Sequence, residues 1–157
     1  MTRGISYTKG DATRPADAGN KIIVHICNDI GKWGKGFVMA ISKRWPEPEQ
    51  QYRLWHQSKM DFKLGHIQIV QVEPDIYIAN MIGQHNVRQD KNGRPPIRYE
   101  AVQDCLHQVA LYAKAIGASV HMPRIGCGLA GGTWDSMEPL IESELISLGI
   151  SVTVYDL

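Results

Sequence analysis

The chain has 157 residues, 43% of them hydrophobic and 21% charged, with a net charge of +1. That length and balance predict one domain (residues 1–157) with its own core and exclude collagen-like, coiled-coil and disordered chains. Three cysteines, Cys27, Cys105 and Cys127, lie without CxxC or Cys/His ligand spacing, so neither a disulfide framework nor a metal site is expected, and no cofactor.

Residues 5–8 form a short strand candidate. Residues 22–27, Ile-Ile-Val-His-Ile-Cys, are apolar on both parities, as for a strand covered on both faces. Residues 34–45 read as a helix opened by glycines, with Phe37, Ile41 and Trp45 in phase. Pro46 and Pro48 break it and open a second short helix carrying Tyr52, Leu54 and Trp55. Residues 66–72 alternate, and 75–82 form the second arm of a hairpin across Glu73-Pro74. Residues 83–96 are polar and punctuated by Gly and Pro; loops of about 14 residues are commonly functional. The clearest helix follows, with Val102, Cys105, Leu106, Val109, Ala113 and Ile116 on one face and Gly117 as its stop. Residues 119–122 are a strand. Thr133 is placed as the cap of a last helix lined by Trp134, Met137, Leu140, Ile141, Leu145 and Leu148, and 151–155 close the chain as a strand. The class is α/β, with helices on both faces of a mixed sheet. No apolar run reaches the roughly 18 residues of a membrane span. The start, Met1-Thr-Arg-Gly4, lacks the apolar segment of a signal peptide, so a cytoplasmic monomer without membrane association is expected.

Ligands of open α/β sheets collect where strands end and helices begin. Two glycine-rich loops stand there, one after residue 27 and one from Pro123 to Gly132. Each offers free backbone N–H groups at a helix N-terminus, suited to a phosphate or diphosphate, although each could also be a tight connection. Neither has Walker A spacing, and GxGxxG does not follow the first long strand. Asp11 either accepts a hydrogen bond from a ligand or caps a turn. His25 is expected to be a satisfied core histidine, and Cys27 and Cys127 small buried residues. Trp33, between glycines, is a candidate for ligand stacking or a lid. Arg88, Lys91, Arg94 and Arg98 make the long loop basic, for contact with solvent or with an anionic substrate.

Taken together, Lys9-Gly-Asp11, residues 25–29, the turn 34–37, Met122-Pro-Arg-Ile-Gly-Cys-Gly-Leu129 and Val154-Tyr-Asp-Leu157 resemble a macrodomain over essentially the whole chain. The resemblance is closest to the branch of the terminal ADP-ribose protein glycohydrolase and the bacterial DNA ADP-ribosyl glycohydrolase antitoxins. It implies a three-layer α/β/α sandwich with a mixed central sheet, binding ADP-ribose over the strand ends. By that resemblance Asp11, with Ala12, meets the adenine, and Tyr155 or Leu157 packs near the base. Asn28 approaches the distal ribose, and Cys27 beside it belongs to the ligand-binding set. Gly34, Lys35, Gly36 and Phe37 wrap the diphosphate from one side, with Trp33 before them in the ligand-binding set. Ile125, Gly126, Cys127, Gly128, Leu129, Ala130 and Gly131 wrap it from the other, with Pro123 and Arg124 before them in the ligand-binding set.

Enzymes of this branch carry a lysine after the strand that here ends Asn80-Met-Ile82, and an aspartate directly after Gly-Cys-Gly-Leu. Here those places hold Gly83 and Ala130, and Asp135 is expected to point along the next helix. The resemblance therefore implies hydrolysis of ADP-ribosyl linkages, on acidic side chains of proteins or on nucleobases such as thymidine in DNA, without a covalent lysine intermediate. Asn28, Gln84 and His85 would serve the chemistry by orienting ribose and water. The expected partners are ADP-ribose, ADP-ribosylated protein or ADP-ribosylated DNA, with a place in the DNA damage response. The alternatives are a non-catalytic ADP-ribose reader and an ADP-ribose 1″-phosphate phosphatase.

Overall fold

The computed structural model describes residues 4–157; residues 1–3, on which the signal-peptide expectation rests, lie outside the described part. In chain order the elements are β1 (Ser6–Lys9), β2 (Lys21–Asn28), α1 (Phe37–Arg44), α2 (Glu47–Ser58), β3 (Ile67–Glu73), β4 (Ile76–Gln84), α3 (Tyr99–Ile116), β5 (Ser119–Met122), α4 (Trp134–Glu144), a 3-10 turn (Ile146–Leu148) and β6 (Val152–Asp156). The sheet order is β1-β6-β5-β2-β4-β3, parallel throughout except for the β3–β4 hairpin.

The parity of β2 divides the core into two layers. Ile22 and Val24 join Ala79 and Met81 of β4 under α3 and α4, with Val102, Leu106, Val109, Met137 and Ile141. Ile23 and Cys27 join Ile76 and Ile78 under α1 and α2, with Ile41, Trp45 and Tyr52. This is the three-layer α/β/α sandwich with a mixed sheet. Among the described residues no helix is long and apolar enough to cross a membrane.

Three boundaries differ from expectation by more than one residue, each for a local reason. Helix α1 begins at Phe37 rather than Gly34, because Gly36 sits at φ 80, ψ −146, which no helix accommodates. Helix α4 ends at Glu144, and the chain turns through a 3-10 step to Gly149 at φ 77, which leaves Leu148 42% exposed. Strand β4 runs two residues past Ile82, to Gln84, through a register shift against Cys27 and Asn28. That bulge aims Gly83 at the α3 layer. A Cβ there would meet Val102 Cγ2 at 2.8 Å and Ile26 Cγ2 at 3.3 Å. A side chain at position 83 therefore collides with the core, and Gln84 takes the place facing the strand ends.

Candidate functional site

At the carboxyl ends of β2, β4 and β5 the chain opens a cleft with two communicating compartments. The smaller, of about 210 Å³, lies between the turn into α1 (Lys35, Gly36, Phe37, Val38) and the β5–α4 loop (Pro123, Arg124, Ile125, Gly126, Gly128, Leu129, Ala130). The larger, of about 560 Å³, is bounded by Cys27, Asn28, Lys32, Trp33, Gly34, Arg53, Val87 and Arg88. Ile26, Lys35, Val38, Gln84 and Leu129 belong to both. Leu129, 70% exposed, reaches across to within 3.9 Å of the Cβ position of Gly36 and marks the division.

The smaller compartment is built from backbone donors. Among the described residues, the N–H groups of Gly36, Phe37 and Val38 on one wall make no hydrogen bond within the chain, nor do those of Gly126, Gly128, Leu129 and Ala130 on the other. The first set is the unpaired start of α1, where the helix dipole adds positive potential. The second set is held open by a loop that bonds to itself, Gly132 N–H to Gly126 O at 2.8 Å and Gly131 N–H to Gly128 O at 3.0 Å. Gly126, at φ 72, has a Cβ position only 2.8 Å from Ile97 Cδ1, so this bend requires glycine. Arg124 fixes the start of the loop. Its guanidinium donates to both Asp156 oxygens, at 2.7 and 3.1 Å, and lies 5.2 Å over the rings of Tyr7 and Trp134. The bond from Arg124 is the chief reason the Asp156 carboxyl is held below its ordinary value.

The larger compartment is cationic. Lys32, Lys35, Arg53 and Arg88 line it, and no carboxylate does. Arg53 donates to Trp33 O at 3.1 Å and pairs with Glu49 at 2.9 Å, which joins α2 to the first glycine loop. Sequence reasoning passed over Arg53, because its only local signal was a Glu49–Arg53 pair one helical turn apart.

Several expected site residues stand elsewhere or play other parts. Trp33 borders the larger compartment but is packed into the core rather than standing free as a lid. It is 6% exposed, 5.5 Å from Tyr52, and donates its indole N–H to Ser42 Oγ at 2.8 Å, so α1 and α2 close over it. The Asn28 side chain is consumed by its own loop. Its amide N–H donates to Lys32 O at 2.6 Å, and Oδ1 accepts from Ile30 N, Lys32 N and Tyr52 Oη, each at 3.0 Å. Asn28 thus shapes the wall of the larger compartment through its own loop. Asp11, Ala12, Tyr155 and Leu157 line neither compartment, and Leu157 is fully exposed. Asp11 caps the turn that follows β1, accepting from Thr13 N at 2.8 Å and Thr13 Oγ1 at 2.7 Å. Burial raises the Asp11 carboxyl, but the Thr13 bonds and Arg14 outweigh it and hold it below its ordinary value. Gly10 N–H donates to Asp156 O, so this corner adjoins the cleft through the Arg124–Asp156 pair. Cys127 and Gly131 support the second loop without lining the cavity. Cys127 is half-buried rather than buried, and Arg98 turns inward to the carbonyls of Pro95, Pro96 and Ile97.

The buried titratable groups are poor catalysts. His25, 2% exposed, bonds Asn80 Oδ1 at 2.6 Å, and burial pulls its imidazole down to about 4, so it is a neutral core residue. Burial pushes the Cys27 thiol well up, away from the thiolate a nucleophile needs. Ala130 is buried, with its carbonyl accepting from Ile97 N–H at 3.1 Å. His85 lines neither compartment; its Nδ1 is held by Asp29 Oδ2 at 2.7 Å.

No protein-family model matches the chain. A solved structure from Bacteroides thetaiotaomicron is 59% identical over the full length of both chains, with a TM-score of 0.99. A macrodomain protein from Streptomyces coelicolor is 55% identical, covering 98% of this chain and 99% of its own, with a TM-score of 0.87. Among curated proteins, the chromodomain-helicase-DNA-binding protein 1-like of Danio rerio is 36% identical over 96% of this chain. The chain spans only 15% of that relative's length, and 17% of its mouse counterpart's. Two relatives matched over most of their length are an ADP-ribose 1″-phosphate phosphatase of Candida albicans, 27% identical over 88% of this chain and 92% of its own, and the human ADP-ribose glycohydrolase OARD1, 26% identical over 98% and 91%. With the Streptomyces protein matched at this identity from end to end, the chain belongs to the macrodomain family.

Proposed function

We propose that the cleft binds ADP-ribose and that the protein hydrolyses ADP-ribosyl linkages without a lysine nucleophile. One observation carries this: two facing walls of unpaired backbone N–H groups frame a compartment for a diphosphate, and a second, roomier compartment opens beside it. The diphosphate lies between Gly36–Val38 and Gly126–Ala130 in this arrangement, the distal ribose enters the larger compartment, and the adenosine end runs toward Asp11 and Tyr155. The names of the phosphatase and glycohydrolase relatives support ADP-ribose chemistry.

The lining also bears on the linkage cleaved. No carboxylic acid lines either compartment, and His25 is neutral, so a leaving group that must be protonated as it departs finds no carboxylic acid donor among the lining residues. An acyl linkage to a glutamate or aspartate side chain departs as a carboxylate and needs none. Acidic side chains are accordingly preferred to nucleobases as the acceptor. The buried Gly83 and Ala130 favour a second reading, a reader that binds without cleaving.

Incubation with three substrates separates these readings: protein carrying acyl-linked ADP-ribose, single-stranded DNA carrying thymidine-linked ADP-ribose, and ADP-ribose 1″-phosphate. The expected result is multiple-turnover release of free ADP-ribose from the first, at least tenfold faster than from the other two. Binding of ADP-ribose without release from any of them would establish the reader instead.

A further inference from the structure

We infer that Asp29 and His85 form an acid–base dyad beside residues that line the larger compartment, with His85 as the general base and Asp29 as the residue that positions it. The inference rests on the hydrolase reading.

The geometry is that of an oriented base. Asp29 Oδ2 holds His85 Nδ1 at 2.7 Å, and no partner within the described chain takes Nε2. The Asp29 side chain is only 15% exposed, whereas that of His85 is 53% exposed, so a sheltered carboxylate steadies an accessible ring. The other Asp29 oxygen accepts Asn86 N–H at 2.8 Å, which pins the carboxylate from a second direction. Asn86 itself sits at φ 61, a left-handed conformation unusual outside glycine, and His85 N–H is bonded to Pro96 O at 2.8 Å. The chain is thus held in a turn that this carboxylate stabilises. Neither residue lines the cavity itself, but each is next in sequence to residues that do: Asn28 precedes Asp29, and Gln84 and Val87 flank the His85–Asn86 pair. The charged and titratable groups around the dyad are Tyr52 of α2, raised by burial and in smaller part by Asp29, and the cations Lys32, Arg53 and Arg88 of the adjoining compartment.

In the step, the oxygen of a water forms a bond to the anomeric carbon of the distal ribose. The bond from that carbon to the acceptor carboxyl oxygen breaks, and its electron pair leaves with the carboxylate. His85 Nε2 takes the proton of the water and later passes it to solvent. The products are free ADP-ribose, the restored carboxylate side chain and one proton. Asp29 fixes the tautomer that leaves Nε2 unprotonated and stabilises the imidazolium that forms. Catalytic hydrogen bonds of this kind commonly tighten only with substrate bound.

The test is the pH dependence of kcat on acyl-linked ADP-ribosylated protein, measured beside ADP-ribose affinity and Tm. The wild type is expected to lose kcat toward acid pH, as a reaction that needs an unprotonated base requires. His85→Gln, which can still bond Asp29 but cannot cycle a proton, is expected to lose at least 100-fold in kcat together with that acid limb, with ADP-ribose affinity within about threefold. Asp29→Asn can still accept from Asn86, but its amide donates to Nδ1 and favours the wrong tautomer, so kcat falls by tenfold or more. A wild-type enzyme that turns over while His85→Gln keeps both rate and limb would overturn the dyad alone. Loss of activity only through a raised KM or a lowered Tm, with the limb intact, would show a structural role and overturn it equally. A wild type that binds ADP-ribose and releases nothing removes the hydrolase reading and the dyad together.

Discussion

Gly128→Glu is expected to abolish ADP-ribose binding while leaving the fold intact. Gly128 lines the smaller compartment between backbone donors, is exposed, and has nothing within 4 Å of its Cβ position. A side chain therefore enters without collision, and its carboxylate lies beside the diphosphate in a site that otherwise carries only positive potential. Like charges about 4–5 Å apart near a protein surface repel by roughly 3 kcal/mol, or about 100-fold in affinity. Calorimetry is expected to show at least that loss, with Tm within about 2 °C of wild type. Gly128→Gln, equal in size but uncharged, should lose less than the glutamate. Equal losses in the two variants would assign the effect to bulk and contradict an anion cradle.

Asn28→Ala is expected to damage both stability and binding, because the side chain holds the turn that carries Lys32, Trp33 and Gly34 into the cleft. Removing Oδ1 takes the acceptor from Ile30 N and Lys32 N, and removing Nδ2 orphans Lys32 O. Tyr52 keeps its bond to Asn28 O at 2.6 Å, so the loss is partial. Leaving part-buried donors unmatched costs about 1–3 kcal/mol each, and solvent recovers some of it. A net loss of about 3 kcal/mol lowers Tm by roughly 6–12 °C in a domain of this size. ADP-ribose affinity is expected to fall about tenfold with it, as the first loop loses its fixed shape. Differential scanning calorimetry and titration on one preparation check both. An unchanged Tm with abolished turnover would return Asn28 to the direct contact with ribose that its position at the strand end suggested.

The sequence carried the layers of the fold because they rest on local periodicity. The two-sided apolar run of β2, the β3–β4 hairpin and the single-faced helix α3 each follow from hydrophobic spacing within one segment. Both glycine loops were visible for the same reason, since glycine clusters at strand ends announce themselves. The misreadings arise where a distant element decides. Trp33 looked exposed because its neighbours are glycines, yet its cover comes from Ser42 and Tyr52 on two later helices. Asn28 looked like a free polar group because most of its hydrogen-bond partners are backbone groups, which carry no sequence signature. Gly83 was legible as a missing lysine, but not as a residue whose side chain would point into the α3 layer; only the register shift opposite Asn28 reveals that. The pairing of Asp29 with His85 joins residues 56 positions apart and had no local trace at all. The adenine roles of Asp11 and Tyr155 came from family resemblance alone, and the structure gives Asp11 a capping task besides.

The central claim is that one cleft reads two phosphates and the ribose beyond them, so titration with ADP-ribose beside AMP tests it most directly. The two walls of N–H groups and the larger compartment predict micromolar affinity for ADP-ribose, about 8 kcal/mol, and affinity for AMP weaker by at least 30-fold, because AMP leaves one phosphate subsite and the larger compartment unused. Equal affinities for the two ligands would mean that binding is carried by the adenosine end alone and would contradict the assignment of the cleft.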